Sequence, residues 1–228
     1  EQDLYVIQRQ LGRPPRGVVE IERRCHWGYP QVIKVYPLLH GEPFPTLFWL
    51  TCPTLIEQLS ALEQRGYIKE IERLLAEDEQ LRQEYQRNHR DYIAERWAAL
   101  GEEDRALVEE RGLASALKER GIGGIADWER VKCLHLHYAH HLARENVIGR
   151  WLENRFQLKE CAPEQIICDG FLEGRARPGR ELGREHRGLR PGGCPTQGRE
   201  DHPQGRGQGM GVRSGDQGHR AAPLILPE

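Results

Sequence analysis

Nine consecutive residues, Cys133-Leu134-His135-Leu136-His137-Tyr138-Ala139-His140-His141, carry the densest set of soft and borderline metal donors in the chain. On a helix, Cys133, His137 and His140 or His141 share one face at offsets of four and seven or eight, while His135 points elsewhere. Thiolate and imidazole so placed suit a borderline-soft divalent metal, most simply Zn²⁺. Two further sulfurs are expected within reach. Cys25 lies in the turn after a first strand, and Cys52 lies where a third strand becomes a helix. The expected metal site is therefore Cys25, Cys52, Cys133, His137 and His141. No Cys-x-x-Cys pair accompanies them, so a bland role competes: histidines packed on a helix face, and thiols acting as small buried hydrophobes.

Cys52 has a second reading. Thr51-Cys52-Pro53 sets it at a helix start, where unpaired amides favour an anion and would depress a thiol pKa. A neighbouring histidine would then complete a nucleophilic pair. The competing reading is an inert thiol at a strand end.

A basic stretch forms a third candidate. Arg9, Arg13, Arg16, Arg23 and Arg24, with Lys34, concentrate positive charge near the N-terminus. The planar fork of arginine suits phosphate, so Arg13, Arg16 and Arg24 are the expected contacts to a phosphate-containing ligand or polyanion. Trp27 and Tyr29 are placed to stack a base. Glu20 and Glu22 interrupt the run, and a solvated face explains it equally. Gly121-Ile122-Gly123-Gly124 before a helix is a weak anion cradle, because Asp127 as N-cap would occupy the same amides. The paired charges of residues 70–96 read as a solvent face.

The elements that must hold these residues read as an α+β domain. Val18–Arg23, Gln31–Tyr36 and Thr46–Thr51 are expected strands of a small antiparallel sheet. The last two carry apolar residues on both faces. A mainly helical region follows. Pro53 suits a first helical position, and Leu55, Ile56, Leu59 and Leu62 repeat at helical spacing up to Gly66. Further helices are expected around Ile68–Leu75, over Glu79–Leu100, more weakly over Ala106–Arg120 with an interruption at Gly112, from Asp127 to about Arg144, and over Val147–Gln157 behind an Asn146 cap.

Composition bounds the rest. The chain has 228 residues, 38% hydrophobic and 30% charged, with a formal charge of −2 that argues against a dedicated nucleic-acid binder. The apolar residues sit almost wholly before Leu172, so residues 1–172 are the expected domain. Residues 173–228 are rich in Gly, Arg and Pro, and are expected to be a disordered tail or an out-of-frame product of GC-rich coding DNA. Cys194 and the tail histidines then carry little weight. The start lacks a basic, apolar leader, and the apolar runs are too short to span a bilayer, so a cytoplasmic location without membrane partners is expected. The six cysteines are then thiols or metal ligands rather than disulfides. A chain opening on Glu1, whose one methionine is Met210, is expected to be trimmed or mis-assigned at its N-terminus.

Four segments together resemble a known family. They are Leu11-Gly12-Arg13-Pro14-Pro15-Arg16-Gly17, Arg24-Cys25-His26-Trp27-Gly28-Tyr29-Pro30-Gln31-Val32, Pro43-Phe44-Pro45-Thr46-Leu47-Phe48-Trp49-Leu50-Thr51-Cys52-Pro53, and Gly121–Ile125 with the Val131–His140 stretch. Over most of residues 5–152 the chain resembles the bacterial domain-of-unknown-function family 501. The resemblance implies a stand-alone bacterial cytosolic protein encoded near enolase, a septum-formation initiator and an exopolyphosphatase-like phosphatase. It implies no activity and no catalytic residues. The reading of function is a small metal- or ligand-binding domain with a Cys/His site. The alternatives are a phosphate-directed enzyme or accessory in polyphosphate or nucleotide metabolism, and an RNA-contacting interaction module.

Overall fold

A computed structural model describes residues 1–173. They open with a helix that the sequence reading missed, α1 (Gln2–Leu11), stopped by Gly12 in the left-handed conformation at φ 67°. Val6, Ile7 and Gln10 recur at helical spacing and are its buried residues. Ile7 packs on Ile33 and Val35, so α1 covers one face of the sheet.

The sheet is the expected three-stranded antiparallel one, in the order β1 (Val18–Arg24), β2 (Pro30–Val35) and β5 (Phe48–Leu50). Period-two alternation sorts its side chains. Ile33, Val35 and Trp49 face α1, while Val32, Phe48 and Leu50 face the helical region and join the main core. Between β2 and β5 a two-stranded hairpin intervenes, β3 (Leu38–Leu39) and β4 (Glu42–Pro43). Its turn residues His40 and Gly41 both have positive φ (55° and 79°), as the twist of a two-residue hairpin demands.

The helices are α2 (Pro53–Gln64), α3 (Tyr67–Glu77), α4 (Glu79–Ala98), α5 (Glu102–Glu110), α6 (Ala114–Lys118), α7 (Leu134–Ala143), α8 (Val147–Phe156) and α9 (Asp169–Glu173), with a 3₁₀ turn at Ile122–Gly124. Asn146 caps α8 as expected, its Oδ1 accepting from the amides of Ile148 and Gly149 at 3.1 Å each. The weak helix expected over Ala106–Arg120 is interrupted at Gly112 as expected, with φ 69° there, and forms two helices. Asp127 does not cap a helix. Its carboxylate accepts from the amide of Glu129 at 2.9 Å and closes a short turn, and α7 starts only at Leu134. Acidic side chains from elsewhere hold the intervening backbone: Glu72 takes the amide of Val131 at 3.0 Å, and Glu63 takes that of Leu134 at 2.6 Å. The charged stretch 70–96 is also not wholly a solvent face, since Arg96 is fully buried.

Helices α7 and α8 cross closely at Gly149, where an added Cβ would stand 2.1 Å from the Cβ of His141 and 3.1 Å from the carbonyl of His137. Neither neighbour is a flexible tip. Gly149→Ala is expected to cost about 1–3 kcal/mol through overpacking, read as a lowered thermal midpoint. An unchanged midpoint would mean that the two helices separate freely.

Among the described residues, no helix is long and apolar enough to cross a membrane. The tail expected from residue 173 falls, apart from Glu173, outside the described residues, as does Cys194.

Candidate metal centre

Cys133 sits immediately before α7 in extended backbone (φ −161°, ψ 157°), so the one-turn spacing to His137 is not a helical spacing. The thiol gathers a different pair. One donor atom each from Glu63, Cys133 and His135 lies within 4.8 Å of the others, and among the described residues this is the grouping of metal-type donors that forms. Cys133 and His135 are buried, while Glu63 is partly open to solvent.

Helix α2 supplies the frame. Ile56, Ser60 and Glu63, at offsets of four and seven, lie on one face of it, and all three meet His135. The Ile56 carbonyl and the Ser60 hydroxyl each stand 3.2 Å from Nε2 of His135, and Glu63 Oε1 stands 3.0 Å from Nδ1. A carbonyl only accepts. Two tautomers fit these contacts: Nδ1–H donates to Glu63 while Nε2 accepts from Ser60, or Nε2–H donates to Ile56 and Nδ1 turns its lone pair toward the carboxylate, the form in which a cation between them would be held. Ligating histidines are oriented in this manner, one nitrogen on the metal and the other on a carbonyl or carboxylate. Three protein donors also leave a fourth tetrahedral position open.

Sequence reasoning set His135 aside and missed Glu63. The available signal was the Ile56-Ser60-Glu63 spacing, which carries two polar residues along the flank of the apolar stripe of α2.

The other expected ligands point away from this centre. His137 and His140 both receive Asn146 Nδ2 at Nδ1, at 3.3 and 3.2 Å, inside the core between α4 and α7. His140 also stacks on Phe48. Burial first, then the nearby histidines, holds His137 well below the ordinary imidazole range. His141 turns to α8, with Nε2 3.0 Å from Glu153. Cys25 lies half-buried in the turn after β1, its amide donating to the Tyr29 carbonyl at 2.9 Å. Cys52 is buried at the start of α2, and burial pushes its thiol up to about 12 despite the opposing amides of Leu55 and Thr54. Of the two readings of Cys52 this favours the inert thiol at a strand end: desolvation outweighs the helix start.

The arginines are variously engaged. Arg24 forms a two-pronged pair with Asp3 (2.9 and 2.8 Å) and donates to the Gly28 carbonyl at 3.0 Å. Arg13 lies over the Trp49 ring at 4.9 Å, and Arg16 is exposed in the loop before β1. Trp27 and Tyr29 are tied down, Trp27 Nε1 to the Cys161 carbonyl (2.9 Å) and the Tyr29 hydroxyl to Asp169 (2.5 Å). In the glycine loop, the Gly121 amide donates to Ile125 and that of Gly124 to Gly121, while Gly121 and Gly123 are buried; nothing there is shaped to cradle an anion.

A family model described as protein of unknown function (DUF501) matches residues 21–154, a span that includes Cys25, Cys52, Glu63, Cys133 and His135. No curated protein and no solved structure matches the chain.

Proposed function

The chain belongs to the DUF501 family, and from that premise we propose that it is a metal-binding domain whose cation is held by Glu63, Cys133 and His135. The observation that carries this reading is the convergence of the three donors within 4.8 Å, with the far nitrogen of His135 3.2 Å from the Ile56 carbonyl. The set of one sulfur, one imidazole nitrogen and one carboxylate oxygen suits Zn²⁺ or a similar borderline divalent ion. The open fourth position would take water or a ligand atom. Ser60 and the Ile56 carbonyl would then orient the imidazole. The bidentate Arg24–Asp3 pair favours this centre over the arginine surface as the site of function, since a guanidinium already satisfied by a carboxylate is a poorer phosphate fork.

Purified chain, stripped with a chelator and titrated with Zn²⁺, is expected to bind at this centre. Cys133→Ser and His135→Gln should each weaken that binding by more than the roughly 10–100-fold typical of an outer partner, and Ser60→Ala should fall within that range. Affinity should also drop with acid, because thiol and imidazole must shed protons to ligate. Unaltered Zn²⁺ affinity in both ligand variants, with their folds intact, would sink the reading.

A further inference from the structure

Between α4 and the junction of α7 with α8 lies a cleft of about 290 Å³, remote in its lining from Glu63, Cys133 and His135. Its α4 wall is one stripe at helical spacing, running from Glu84 through Arg87, Asn88 and Asp91 to Glu95. This stripe flanks the one that buries Tyr85, His89 and Tyr92.

His140 lines the cleft from within the core, only 2% exposed. Asn146 decides which of its nitrogens carries the hydrogen. Asn146 Oδ1 accepts from the amides of Ile148 and Gly149, so the atom 3.2 Å from His140 Nδ1 is Nδ2, which only donates. Nδ1 must therefore accept, and the neutral ring keeps its hydrogen on Nε2. Among the described residues that N–H has no acceptor. The ring is held in place by stacking on Phe48 at 5.7 Å and by Tyr92 edge-on at 5.1 Å. With Nδ1 turned to Asn146, Nε2 is the polar edge left for the cleft.

Charge in the lining selects the ligand. Arg144 is held by Glu95 (2.7 and 3.1 Å) and by Glu22, and Arg150 is held by Glu84 and Glu145. Two opposite charges remain. Arg87 and Asp91 stand one turn apart on α4, exposed, and neither has an ion-pair partner among the described residues. A simple anion would face the carboxylates of Glu84, Asp91, Glu95 and Glu145. It would also find the first amides of α8 taken, Val147 by Asn88 and the next two by Asn146. A simple cation would face three guanidiniums. A molecule bearing both charges meets a partner for each. Val147 is the one apolar side chain in the lining, and the volume is at the lower end of the roughly 300–1,000 Å³ of ligand sites. The remainder of the molecule is therefore small or polar.

We propose that this cleft binds a free α-amino acid with a small or polar side chain. The His140 Nε2 hydrogen and the Arg87 guanidinium take its carboxylate, and the Asp91 carboxylate takes its ammonium. The proposal shares no residue with the Glu63–Cys133–His135 centre and does not rest on it.

The test is equilibrium dialysis of the full chain against radiolabelled glycine, serine, glutamine and phenylalanine, with chelator present so that no metal bridges the ligand. At least one of the first three is expected to bind more tightly than phenylalanine. Acetate, ethylammonium and inorganic phosphate, each offering one charge, are expected to compete only at roughly tenfold higher concentration or more, because one charged contact is missing. Arg87→Gln and Asp91→Asn change exposed side chains, and each is expected to weaken binding of that amino acid by roughly tenfold or more. Four results would each overturn the proposal: no retention of any of the amino acids at millimolar concentration, tightest binding by phenylalanine, competition by a single-charge probe at equal concentration, or undiminished affinity in either variant.

Discussion

Replacing Arg96 with leucine is expected to destabilise the domain by roughly 3 kcal/mol or more, enough to unfold a marginal one. The side chain is 0% exposed. Its guanidinium donates to the carbonyls of Pro45 (2.9 Å), Leu117 (3.1 and 2.6 Å), Gly121 (3.3 Å) and Arg120, and lies over the Tyr92 ring at 5.7 Å. It thus ties α4 to the end of α6, to the loop before the 3₁₀ turn, and to the segment entering β5. Burial pulls its pKa below the ordinary arginine range, and its hydrogen bonds are all to neutral carbonyls. Leucine would fill much of the volume yet leave several buried acceptors without donors, each costing about 1–3 kcal/mol. Lysine should rescue only in part, because three donors on a point charge cannot span the same fork. Urea denaturation of the wild-type chain, Arg96→Leu and Arg96→Lys checks the order; two variants with wild-type midpoints would show that these carbonyls find water.

The second large effect is a loss of stability in mild acid. His89 and His140 are buried, with Nδ1 of each accepting a hydrogen bond, from the Ile122 amide at 2.9 Å and from Asn146 at 3.2 Å respectively. Both are therefore held neutral. Burial, then the charge of His140, takes His89 down to about 3, and burial takes His140 down to about 4, with Glu95 opposing and Arg144 adding to the shift. Their ordinary value is 6.5. Between 6.5 and those folded values the unfolded chain takes up protons that the native chain refuses. Stability is accordingly full above 6.5, falls as pH drops below it, and stops falling once the native imidazoles protonate. Each histidine contributes about 1.4 kcal/mol per pH unit in that window, so the pair removes roughly 5 kcal/mol between pH 6.5 and 4.5. The carboxyls of Asp3 and Glu95, held below their ordinary range, act in the same direction at lower pH. Denaturant midpoints from pH 7 to 4.5 measure the slope. His89→Gln with His140→Gln should start less stable at pH 7 and show a flatter slope; an unchanged slope would place the acid sensitivity elsewhere.

Most elements of this protein were legible locally, and the reason is that their signals are local. Alternation in QVIKVY and the apolar repeat after Pro53 belong to one strand and one helix. The cap at Asn146 needs only the two amides that follow it. Helix α1 escaped notice because its buried stripe is short and one of its three residues, Gln10, is polar. The candidate centre was a different matter. The spacing Cys133-x-x-x-His137 looks like one helix turn, but Glu63, from 71 residues upstream, holds the amide of Leu134 at the point where that turn would have to continue backward. A histidine's direction is decided by its partner, and the partner of His135 lies 72 residues away. What the sequence determined by itself was which stretches pair as strands or coil as helices, because propensity and periodicity act over a few residues. Only the tertiary structure decided which donors converge, because that convergence depends on how α2 packs against the start of α7.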